Sequence, residues 1–173
     1  MSEIELDEDF WNYAKLIEKY ALEDAKNISY RNNEKTNWDL INKSITRLDV
    51  VINSTQKYYH LPSDHPEYSF LYFVTDCFIA LLRSHPAFNG NERFTTMFLK
   101  SILYSEGFYL KWTSNNLNNS KEYKWNIEEK IAEFCKNLQN HNEQLSDEKF
   151  KQKRQEIYNW LIEHIVIGLN FRQ

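Results

Sequence analysis

Four residues whose types suit phosphate chemistry fall within the nine positions 85–93: His85, Gly90, Asn91 and Arg93. They belong to the stretch SHPAFNGNERFTTMF, residues 84–98. An imidazole takes up a proton near neutral pH, which suits a general base acting on a hydroxyl. An arginine forks two N–H bonds onto phosphate oxygens. A glycine lets the backbone turn sharply or approach a ligand, because it has no Cβ. A helix starting just after Gly90 would add unpaired N–H groups and the positive end of its dipole. Together these parts suit phosphoryl or nucleotidyl transfer to a hydroxyl. Corners with Gly and Asn also join helices where no ligand binds, so the residues alone leave a structural reading open.

The elements that must hold this loop are helices. The chain has three Gly and three Pro in 173 residues. Tight hairpins draw on such residues, so their scarcity predicts an all-α fold with long helices and few connections. Phe10, Ala14, Ile17 and Ala21 recur at helical spacing and predict a helix over about 7–26, with the acidic residues before it at the positive end of its dipole. Thr36 and Asp39 resemble a capping box opening a second helix to about Lys57, with Leu40, Ile41, Ile45, Leu48 and Ile52 on one side. Pro66 suits the first turn of a third helix, 66–83, which is apolar nearly all round and so central. After the loop, residues 92–106 predict a fourth, with Phe94, Met97, Phe98, Ile102 and Leu103 inward and Gly107 just past its end. Residues 108–112, FYLKW, read as a short extended piece. Asn126 and Glu129 open a helix to about Asn140, and Ser146 caps a last one with Phe150, Ile157, Trp160, Leu161 and Ile165 inward. The C-terminal helices together take up about residues 125–168, and the whole chain, 1–173, reads as one domain.

Charge and composition exclude several classes. The net charge is −4, whereas a general nucleic-acid binder is basic because phosphate neutralisation dominates its affinity. Lys149, Lys151, Lys153 and Arg154 spread around their helix and read as a solvated face. No apolar run approaches the length of a membrane span, and MSEIELDEDF is acidic, unlike a signal peptide. A cytoplasmic protein without nucleic-acid or membrane partners is expected. Cys77 and Cys135 read as buried free thiols. His60, Asp64 and His65 lack a coordinating spacing and read as an ordinary loop.

The segment LLRSHPAFNGNERFTTMFLKSILYSEGFYL resembles the core of the Fic/Doc family, whose signature is His-x-Phe-x-Asp/Glu-Gly-Asn-Gly/Lys-Arg. The similarity covers about residues 66–112 well and 40–66 loosely, with the short Doc-type branch the nearer. The resemblance implies an all-α bundle with the motif loop between two central helices. It gives His85 the role of general base on the target's hydroxyl, Gly90 and Asn91 that of a phosphate cradle, and Arg93 that of holding phosphate. It implies ATP or another nucleotide, Mg²⁺, and a target protein carrying a Ser, Thr or Tyr hydroxyl. It also implies a toxin or defence setting, with an antitoxin protein as a possible partner.

This chain departs from the pattern at four places. The family's metal-binding acid falls on Asn89, whose amide oxygen is a weak ligand because it lacks charge. The Gly or Lys that goes with AMP or phosphate transfer falls on Glu92. Ala87 stands where Phe is expected and Phe88 follows it. A second arginine, frequent in the longer Fic branch, falls on Thr96. Glu92 reads either as a favourable first-turn acid, as an obstacle to phosphate, or as a substitute metal ligand. Three functions therefore stand side by side: a transferase of Fic/Doc type, a catalytically degenerate relative that binds a partner protein, and an unrelated helical interaction domain.

Overall fold

The computed structural model describes residues 7–31, 52–53, 70–84, 91–110, 126–139 and 146–167. These form an all-α arrangement with one small ribbon. In chain order the elements are α1 (Glu8–Arg31), α2 (Phe70–Ser84), α3 (Asn91–Ser105), β1 (Phe108–Leu110), α4 (Asn126–Gln139), α5 (Asp147–His164) and β2 (Ile165–Ile167). Residues 52–53 are also helical and Ile52 is buried, but the rest of the expected second helix, including Thr36 and Asp39, lies outside the described residues.

Local chemistry accounts for the helix ends. Asp7 caps α1: its Oδ1 accepts from the Phe10 N–H at 2.8 Å, and Glu8 and Asp9 add negative charge to the first turn. α1 runs to Arg31, about a turn beyond the expected end. Ser146 caps α5, its hydroxyl accepting from the Lys149 N–H at 3.4 Å. Gly107 lies just past the end of α3, as expected, and its φ of 79° is in the left-handed region. The Gly107 N–H donates to the Tyr104 carbonyl at 3.0 Å and closes the last turn. A side chain at 107 meets the following carbonyl in that conformation. Gly107→Ala is therefore expected to cost about 1–2 kcal/mol. Gly107→Asn should cost less, because asparagine tolerates this region. Urea midpoints check both; a neutral alanine variant would show that the turn does not need its left-handed residue.

α2 is the central element, as its apolar sequence predicts. It packs against α3, α4 and α5. Phe10 and Trp11 of α1 meet Phe73 edge-on, at ring separations of 5.3 and 4.9 Å. Phe73, Phe78, Leu81 and Leu82 of α2 are fully buried. α1 packs most extensively on α3, where Phe94, Met97, Phe98, Ile102 and Leu103 all turn inward as the spacing predicts. Trp160 joins α5 to the core, edge-on to Phe134 and stacked near Phe78. Cys77 and Cys135 are both buried, and neither is in a disulfide.

Two expectations are corrected. The last helix does not continue to about 168; it stops at His164, and Ile165, expected on its inner face, begins β2. Ile165-Val166-Ile167 is a β-branched run that favours extended backbone. β2 pairs antiparallel with β1 in the register Phe108–Ile167, Tyr109–Val166 and Leu110–Ile165. β1 confirms part of the expected extended piece at 108–112. Its Phe108 and Leu110 face the core, with Phe108 stacked on Phe70 at 5.7 Å.

Arg154 is the second correction. It does not belong to a solvated basic face. Its Nε and Nη2 donate to the two carboxylate oxygens of Asp76 at 2.7 and 3.0 Å, and its guanidinium lies over the Tyr72 ring at 4.6 Å. Tyr72 in turn stacks on Tyr158 at 3.9 Å. Arg154 and Tyr158 are one turn apart on α5, and Tyr72 and Asp76 one turn apart on α2, so two helix faces lock through four side chains. Both charged side chains are largely shielded, at 16% and 17% exposure, so the pair is less screened than a surface pair. Asp76→Ala leaves the arginine without its carboxylate. A loss of about 1.5–3 kcal/mol is expected, the range for hydrogen bonds to charged groups. Arg154→Lys should recover little of it, because an ammonium cannot fork. Chemical denaturation of the three proteins measures this; a lysine variant as stable as the native chain would refute a geometric role for the fork.

Candidate functional site

The candidate site is the corner between α2 and α3. α2 stops at Ser84 and α3 starts at Asn91, leaving residues 85–90 to connect them. His85, Asn89 and Gly90 lie in that connection, outside the described residues. Asn91 and Glu92 are the first two residues of α3 and Arg93 is the third. The sequence-based start of this helix, at 92, is thus met to within one residue.

Both sides of the corner are anchored. Leu81 and Leu82, in the last turn of α2, are fully buried, and Phe94, in the first turn of α3, is 3% exposed. Arg83 brings positive charge to the last turn of α2, where the dipole is negative. α2 and α3 pack directly on each other. The two helix ends that flank residues 85–90 are therefore fixed by core side chains.

The opening turn of α3 holds the sequence-predicted phosphate-binding positions Asn91 and Arg93. The N–H groups of a first helical turn have no partner within the helix, and they point along the axis toward whatever precedes it. Arg93 is half-buried in this turn and takes part in an interaction within the protein. Beyond it the helix turns inward. Thr95 is fully buried and Thr96 is 3% exposed. Position 96, where the longer Fic branch has its second arginine, therefore belongs to the protein interior here. The buried Thr95 hydroxyl has no hydrogen-bond partner among the described residues.

The other end of α3 carries a perturbed carboxyl. Burial raises the Glu106 carboxyl above its ordinary value, because desolvation disfavours the charged form. The folded chain then holds this proton more tightly than the unfolded chain does. Ionised Glu106 subtracts from stability above its folded pKa, and that cost is relieved as pH falls toward its unfolded value.

Among the described residues no group of three or more His, Cys, Asp or Glu is placed to hold a metal, and Asn89 is not among them. No described helix is long and apolar enough to cross a membrane. The cross-helix lock of Tyr72, Asp76, Arg154 and Tyr158 escapes a reading of each helix by itself. The available signal is the one-turn spacing within each pair, which puts an acid and an aromatic on one face, and a base and an aromatic on another.

The described residues thus form an all-α frame in which α3 starts directly after Gly90. No protein-family model, no curated protein and no solved structure gives a significant match to the chain.

Proposed function

We propose that the protein is a transferase of Fic/Doc type, moving AMP or phosphate from a nucleotide to a hydroxyl side chain of a target protein. The observation that carries this reading is the stretch HPAFNGNER placed at a helix start: Gly90 immediately precedes α3 and Arg93 lies in its first turn. In this reading the backbone after Gly90, with Asn91 and Arg93, binds the phosphates of ATP or a related nucleotide. His85 takes the proton from the attacking Ser, Thr or Tyr hydroxyl. The new bond joins that oxygen to phosphorus. The bond to the leaving group breaks, releasing pyrophosphate if AMP moves or the nucleoside diphosphate if the terminal phosphate moves. Asn89 offers Mg²⁺ an uncharged oxygen only, a poor fit for a hard cation, and no step here is routed through a metal. A toxin or defence role, restrained by an antitoxin protein, follows from the same resemblance.

A second reading rests on Glu92 and Asn89. A carboxylate in the phosphate-binding turn and an amide at the metal position are the changes expected where nucleotide chemistry has been lost and the corner binds a protein instead. Mass spectrometry of lysate proteins incubated with the protein and ATP separates the two. The transferase reading expects adenylyl or phosphoryl groups on hydroxyl side chains, absent when His85→Ala is used. Calorimetry showing no nucleotide binding under any metal condition would leave the interaction module as the function.

A further inference from the structure

We draw no further inference here: the strongest candidate, the exposed apolar patch that Tyr104, Tyr109 and Val166 form beside the β1–β2 ribbon, is an unpartnered face among the described residues, and nothing in the structure shows what covers it.

Discussion

Glu92→Gly should bind ATP more tightly than the native chain. Glu92 lies in the first turn of α3, the turn that would face the phosphates. Two like charges about 4 Å apart repel by about 4 kcal/mol at an effective dielectric near 20. Solvent screening reduces this. A third of it is still about a tenfold change in affinity. Asn89→Asp supplies a charged oxygen and should make binding depend on Mg²⁺. The double variant should gain more than either single one. His85→Ala in that background should abolish transfer and leave binding intact, because a general base acts on the hydroxyl and not on the phosphate. Calorimetry and a transfer assay on the five proteins read these effects. Lower transfer by Glu92→Gly than by an active native protein would make Glu92 a working part of the site. Absence of ATP binding in both the native and the double variant would place the function elsewhere on the molecule.

Phe73→Ala is expected to be the most damaging single change in the described core. Phe73 is fully buried, and Phe10 and Trp11 of α1 both meet its ring edge-on. Truncation removes the buried ring and leaves a cavity that two large aromatics line. Such changes cost about 3–5 kcal/mol. For a chain of this size that corresponds to a melting temperature lower by about 6–20 °C. Tyr20→Ala, on the exposed side of the same α1, should stay within about 0.5 kcal/mol of the native protein. Paired thermal and urea melts test the contrast. Equal losses at the two positions would mean that α1 is not held through its aromatic face.

What the sequence reveals here is what neighbours in the chain decide. Asp7, Ser146 and Gly107 mark helix ends through groups three or four residues away, so those ends were legible. The inward faces of α1 and α3 were legible because helical spacing repeats over several turns. Partners far apart in the chain leave no such mark. Arg154 looks like one more basic residue until Asp76 faces it from α2. Ile165 continues a helical pattern until β1 offers it a ladder. Three apolar residues do not distinguish helix from strand, and here the pairing decides. Of the candidate site, the helix start and the first-turn position of Arg93 could be anticipated from Gly90 and the apolar spacing that follows. The roles expected of His85, Asn89 and Gly90 fall on positions outside the described residues.

The β1–β2 ribbon has a kinetic consequence. Leu110 and Ile165 are about 55 positions apart, and closing a flexible loop of that length costs about 3.5 kcal/mol in chain entropy. A three-residue ladder repays little of that by itself. Docking of α5 onto α2 brings Ile165 toward β1 beforehand and removes most of the search. The ribbon is then expected to zip after the helices have assembled, late on the folding route. Interactions that form after the transition state govern the rate of unfolding and leave the rate of folding almost unchanged. The ribbon thus works as a latch on escape from the native state, setting how long the assembled helices persist and not how fast they first meet.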